Sequence, residues 1–457
     1  MFKTTVLMTA MAAACSSPSD AFAANDQELT EIRAQIHAMK DAYEARLQAL
    51  EQRLQQAQVQ AQVQPQTQAQ VQVQAPTPNP PDASAAPART ASNAFNPNIA
   101  LVLGGTMSNL SQDPARYRLQ GFIPSGGEVG PGKRSFNLGE SELTLSANID
   151  PMFSGQLTFA LSGENEAGVE EAFFQTRALF NGVNFKAGRF LSSVGYLNNQ
   201  HAHTWDFVDA PLAYQAFLGG QYRPDGIQAK WLLRTDRFVE LGMELGNGAS
   251  FPGSERNKNG FGAGTVFAHV GDDIGDSGSW RAGLSYLRSS AADRSYDDAG
   301  VSNAFSGTSA TWIADAIYKW APNGNSTQQN FKLQAEYFRR KENGTLASVA
   351  DSVLFDSRQT GWYLQGVYQF MPNWRTGLRY DHLSSGRFDS GASSAASFPT
   401  LAPYSPSKAS LMLDYSPSEF SRLRLQLARD KSRPDAVDNQ IFLQYIMSLG
   451  THAAHAF

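Results

Sequence analysis

From Asn98 to Phe457 the gaps between strand-like segments alternate long and short to the end of the chain. A transmembrane β-barrel requires that parity, with tight turns on one side of the membrane and longer loops on the other. The short gaps are Asp150 to Met152, Phe180 to Gly182, Thr235 to Arg237, Met371 to Asn373 and Ser416 to Phe420. Between them fall Ser108 to Arg134, Gly195 to Pro224, Asn247 to Asn259, Ser290 to Ser309, Lys341 to Arg358 and Ser384 to Ser407. The segments in between alternate: Gln156 to Leu161 reads Q-L-T-F-A-L, Val239 to Leu245 V-E-L-G-M-E-L, and Arg422 to Leu427 R-L-R-L-Q-L. One face is apolar and the other charged or amide, as a tilted span of about 9–11 residues needs. Strands of a soluble sandwich alternate too. An even count of about sixteen such segments favours the closed barrel. Phe261 to Val270 is the least clear, because its alternation fits either face.

Trp231, Trp280, Trp312, Trp362, Trp374, Tyr337, Tyr380 and Tyr415 fall mostly on the apolar parity, where rings favour a membrane–water interface. Core packing of a soluble barrel is the alternative, but the outward apolar set is too large for anything but lipid to cover. No run past the N-terminus approaches the ~18 apolar residues of a transmembrane helix. A net charge of -5 leaves no basic footprint, so no nucleic-acid partner is expected.

The expected organisation is a signal peptide over 1–23, a coiled coil over 26–56, a linker over 57–97 and the barrel over 98–457. Lys3, the apolar run Val6 to Ala14 and Ala21-Phe22-Ala23 make an export signal. Lipoprotein processing at Cys15 is the alternative, though its box lacks the usual Leu. Cys15 is the single cysteine, so the mature chain has no disulfide. Leu29, Ile32, Ile36, Met39 and Tyr43 keep 3,4 spacing, and Leu47, Leu50 and Leu54 resume it after a stutter. An amphipathic helix lying on a membrane is disfavoured because the polar face has no Lys/Arg excess. The Gln-, Ala- and Pro-rich stretch that follows cannot build a core and reads as a disordered tether spanning ~35 Å.

The final strand puts Ile441, Leu443, Tyr445, Met447, Leu449 and Phe457 in one register. An aromatic terminus in the outward register resembles the signal by which the barrel-assembly machinery recognises its clients, so Tyr445 and Phe457 are the candidate assembly residues.

Signal peptide, coiled coil, linker and a barrel ending in Phe together resemble the trimeric porins of the phosphate-selective porin O/P class and their coiled-coil-bearing relatives. Phe136 to Asp150, Glu170 to Phe174 and Gly188-Arg189-Phe190 carry the looser local likeness. Some similar barrels are labelled TonB-dependent or zinc-regulated receptors, but this chain lacks the length for a plugged barrel of about 22 strands. The resemblance implies a homotrimer in the outer membrane of a Gram-negative bacterium, its coil in the periplasm, passing small hydrophilic solutes by passive diffusion. It also implies that the third extracellular loop, Gly195 to Pro224, folds inward and forms the constriction. That loop is aromatic and apolar, unlike the Ser/Gly/Asp-rich loops elsewhere. Asn198, Asn199, His201, His203, Asp206 and Asp209 would line the narrowest part.

His201 and His203, with Asp206 and Asp209, also have the chemistry to bind zinc. A metal-selective channel is therefore the alternative function, and no other cofactor is expected. Inward positions are acidic on the early strands (Glu140, Glu142, Glu164, Glu240, Glu244) and basic on the late ones (Arg375, Arg379, Arg422, Arg424). Opposed walls would set a transverse field across the lumen, unless the charges merely solvate one another. A rim protease built on His203, Asp206 and Asp209 and a cell-wall tether are the remaining alternatives; no enzyme is expected.

Overall fold

The computed structural model describes residues 97–450, apart from 127–128, 162–165, 178, 180–181, 299, 349–350, 387 and 390–397. The expected signal peptide, coiled coil, nearly all of the linker, Glu164, His452, His455 and Phe457 lie outside the described residues.

One antiparallel sheet closes on itself as a barrel of sixteen strands. In chain order these are β1 (Asn98–Leu110), β2 (Ser135–Leu138 and Ser141–Asn148, one interrupted strand along β1), β3 (Phe153–Leu161), β4 (Ala167–Thr176), β5 (Val183–Arg189) and β6 (Asp225–Leu232). There follow β7 (Phe238–Gly246), β8 (Ala263–Ile274), β9 (Gly278–Asp298), β10 (Val301–Trp320) and β11 (Asn330–Ser348). The circuit is completed by β12 (Ser352–Met371), β13 (Trp374–Ser384), β14 (Ser407–Ser418), β15 (Ser421–Lys431) and β16 (Asp438–Gly450). Every strand pairs with its chain neighbours, and β1 pairs with β16 from Ala100↔Gly450 to Leu110↔Gln440, so no edge is left open.

Alternation sorts the side chains. Leu423, Leu425 and Leu427 on β15 and Ile441, Leu443, Tyr445 and Met447 on β16 point outward and stay 41–52% exposed. Their neighbours Arg424, Gln426, Gln440 and Phe442 point inward and are buried. A continuous belt of this kind suits hydrocarbon, with every backbone group satisfied in the closed ladder. Tyr445 lies over Gly105 of β1, where a Cβ would come 2.4 Å from the ring. On the ambiguous strand, β8, Phe267 and His269 point inward and Val266 and Val270 outward. Among the described residues no helix is long and apolar enough to cross a membrane.

The parity of sides holds, but two of the expected long loops are not loops. Strands β9 to β12 run 21, 20, 19 and 20 residues, and both Ser290 to Ser309 and Lys341 to Arg358 fall largely within paired hairpins. Roughly half of each strand exceeds what a bilayer needs. There the outward face has no lipid to meet, so apolar alternation fades while the backbone ladder continues. A bulge between Ala291 and Arg294 turns β9 inward, and Tyr296, Phe305, Leu346, Phe355, Phe398 and Leu401 pack together beneath the hairpins.

Candidate functional site

The segment from Phe190 to Pro224, between β5 and β6, lies inside the barrel. It carries one short helix, α1 (Leu212–Leu218), every residue of which is buried. Leu197, Trp205, Leu212, Tyr214, Phe217 and Tyr222 pack on the inward residues Leu287, Ile313, Phe338, Tyr363 and Leu383. Water inside a barrel leaves inner-wall side chains wet. Here the wall beneath the segment is dry, with Phe338, Tyr363 and Leu383 all at 0% exposure.

Backbone as well as side chains tie the segment down. Glu336 of β11 accepts from Tyr196 N (3.1 Å), Leu197 N (3.1 Å), Tyr214 Oη (2.9 Å) and Tyr363 Oη (2.5 Å). That approach requires Gly195: its φ is +67°, and a Cβ there would sit 2.3 Å from Glu336 Oε2. Glu244 of β7 accepts from Ser192 Oγ (2.5 Å) and Ser193 N (3.0 Å). Arg340 donates to Ala216 O (3.1 Å) and Arg424 to Trp205 O (2.7 Å). Gly361 lets α1 reach β12, since a Cβ there would lie 2.7 Å from the Phe217 ring.

The two charged walls hold neighbouring stretches of the segment, 201–203 and 206–209. On the basic wall Asp206 pairs with Lys332 (2.5 Å) and Arg375 (3.3 Å), and Asp209 with Lys408 (2.7 Å) and Arg379 (3.0 Å). Burial opposes ionisation of both aspartates. For Asp206 the charges of Lys332 and Arg375 outweigh it, for Asp209 those of Lys408 and Arg379, and both carboxyls titrate well below the usual range. Arg422 donates to His203 O and Trp205 O.

On the acidic wall His201 Nδ1 lies 3.1 Å from both Glu142 Oε2 and Glu170 Oε2, and its Nε2 lies 3.1 Å from Glu171 Oε2. His203 Nδ1 lies 2.7 Å from Glu142 Oε1, and the two imidazoles stack at 5.6 Å. Burial alone would lower the His201 pKa; the carboxylates of Glu142, Glu170 and Glu171 reverse this and raise it well above the ordinary value. The aspartates expected to share zinc with the histidines are thus engaged elsewhere, because the basic wall draws them across the lumen. Asn198 is buried within the segment, bridging Ser192 O and Tyr222, and Asn199 is exposed at its surface.

Of the acidic wall, Glu140 is half-buried beside Glu142, and Glu240 pairs with Lys230 (3.3 Å) and His269 (3.1 Å). Sequence reasoning missed Glu170 and Glu171 as luminal residues and Lys408 altogether. Adjacent residues of a regular strand cannot face one side. A bulge opposite Thr158 and Phe159 adds Glu170 to the inward set, and strict alternation offers no signal for it.

No family model matches the sequence. An uncharacterized protein of Aquifex aeolicus is 29% identical over 396 residues, 80% of each chain. Among solved structures, a loop-deletion mutant of OmpT, an outer membrane protein of Vibrio cholerae, superposes with a TM-score of 0.51 at 13% identity, over 78% of this chain and 100% of that one. Salmonella typhi OmpF gives 0.49 at 13% identity, over 77% of this chain and 97% of that one. At such identity the OmpT likeness is one of fold: a closed porin-type barrel.

Proposed function

We propose that the chain is an outer-membrane porin-type channel for small hydrophilic solutes, in which the segment from Phe190 to Pro224 sets the constriction. One observation carries the reading: an interior segment seated between an acidic and a basic wall, inside a barrel whose outer face suits lipid. Arg281, Lys332 and Arg375 keep about a fifth of their side-chain surface open. Charges of this kind, part buried and part wet, sort solutes at close range. Export, assembly signalled by Tyr445 and Phe457, and a homotrimer with a periplasmic coil complete the reading.

Single-channel recording from folded protein in a planar bilayer tests this reading. Discrete conductance steps in groups of three support it. Electrical silence from heat-modifiable barrels, together with silence after removal of 198–209, overturns it.

A further inference from the structure

The acidic wall carries more charge than the segment seated on it needs. Glu140, Glu142, Glu170 and Glu171 converge from β2 and β4. Among the described residues Arg223 lies 3.6 Å from Glu170 Oε1, and Lys186 on β5 faces Glu171. Glu170 is 1% exposed, and its Oε1 accepts no hydrogen bond. A carboxylate so buried needs a close partner at each oxygen, and Glu170 has one at Oε2 alone, from His201.

We infer that Glu142, Glu170, His201 and His203 form a binding site for a divalent transition-metal ion of mixed nitrogen and oxygen preference, such as Zn²⁺. The inference goes beyond channel activity and does not depend on it. The donor atoms of Glu142, His201 and His203 lie within 4.8 Å of one another, as do those of Glu140, Glu142 and Glu170. Separations of 2.7–3.1 Å between the histidine Nδ1 atoms and the carboxylate oxygens are shorter than the edges of a zinc tetrahedron, roughly 3.3–3.6 Å for bonds of about 2.0–2.2 Å, so an ion entering between them pushes the donors apart.

The surroundings of His201 match a metal ligand. Its Nδ1 faces two carboxylates, and its Nε2 faces a third, Glu171. An imidazole that ligates through one nitrogen and donates from the other to a carboxylate is held in one tautomer and made more basic. The bulge that turns Glu170 inward beside Glu171 supplies both partners at once, one for the ion and one for the ring. Charge agrees: a divalent cation between Glu142 and Glu170 neutralises two buried carboxylates while both imidazoles bind it neutral. Any imidazole proton present beforehand passes to solvent. The ion can reach the site, because the His201 side chain keeps 21% of its surface open. Mixed imidazole and carboxylate donors without sulfur favour Zn²⁺-like ions over Cu⁺, and the imidazoles disfavour Ca²⁺.

Equilibrium dialysis of folded full-length protein in detergent against Zn²⁺ tests the site without any conductance readout, so its failure leaves the channel reading untouched. One saturable Zn²⁺ per chain is expected, with an absorption-edge spectrum of two imidazoles and oxygen donors. His203→Gln keeps a hydrogen-bonding group beside Glu142 and should weaken binding at least tenfold. Glu171→Gln, which meets the far side of His201 and still accepts from Leu191 N, should cost about 10–100-fold and serves if His203→Gln does not fold. His382→Ala, at the outer face against Trp362, should bind as the unmodified protein does. The inference is overturned by an absence of saturable Zn²⁺, by binding that survives loss of both histidines, or by Ca²⁺ binding as tightly as Zn²⁺.

Discussion

Asp206→Asn is the sharpest test of whether the interior segment governs the lumen. The change keeps the shape of the side chain and removes its charge. Asp206 is 4% exposed and holds Lys332 at 2.5 Å and Arg375 at 3.3 Å. Arg375 retains Asp414 at 2.6 Å, so it stays paired. Lys332 makes its only ion pair among the described residues with Asp206. Removing one partner of a buried pair costs about 3–5 kcal/mol, because the other charge stays buried. With Arg375 still paired and Lys332 partly open to water, the lower end applies, about 3 kcal/mol. At 1.4 kcal/mol per tenfold, the ratio of unseated to seated segment rises about a hundredfold. In a planar bilayer the open-to-closed time ratio of Asp206→Asn channels should rise by about that factor over unmodified channels. A heat-modifiable, correctly folded variant whose ratio changes less than about threefold, well below the worked shift, would refute the reasoning that this pair seats the segment.

The two walls should respond to pH in opposite directions, measured as open probability in chelator-treated protein. Asp206 and Asp209 have depressed values in the folded state, so their contribution is complete above about 3.9 and is lost only as pH falls through the depressed values. The His201 value is raised, so its contribution is complete below about 6.5 and fades as pH climbs through the raised value. Opening near neutral pH from the basic wall would contradict this. Gly195→Val places a β-branched residue at φ +67° against Glu336; it should cost at least about 1–3 kcal/mol and expose 190–224 to protease in detergent. Leu425→Arg puts a charge on the outer face of β15, where the leucine is 41% exposed; folding into vesicles should lose about 2–4 kcal/mol, and an unchanged urea midpoint would remove that position from the lipid.

The barrel was legible because its cause is local. A strand with lipid on one side must alternate, and Arg422 to Leu427 announces its two faces in six letters. Strand ends were not legible where that cause stops: above the bilayer, β9 to β12 continue as polar hairpins that read like loops. Within the site, the aromatic character of Tyr196 to Tyr222 marked a segment unsuited to open water, and the charged walls followed from parity. Glu170 was hidden for a physical reason, since a bulge breaks the rule by which faces are assigned. Lys408 stood in a stretch that had been assigned to the edge of a loop. Pairing across the lumen is non-local, and nothing near His201 in the chain points to Glu142 or Glu171.

Charge segregation takes on a different meaning once the interior segment is in place. Bare opposed walls would orient the dipole of any solute between them. Here the segment is itself a dipole: its histidines meet the carboxylates, and aspartates a few residues on meet the guanidinium and ammonium groups. Reversing it would set Asp206 and Asp209 against Glu142 and Glu171, which like-charge repulsion forbids. The walls therefore fix which way the segment lies as well as whether it stays. The field left for a solute is the residue of an almost cancelled arrangement. It is greatest beside the charges that stay partly open to water, Arg281, Lys332 and Arg375.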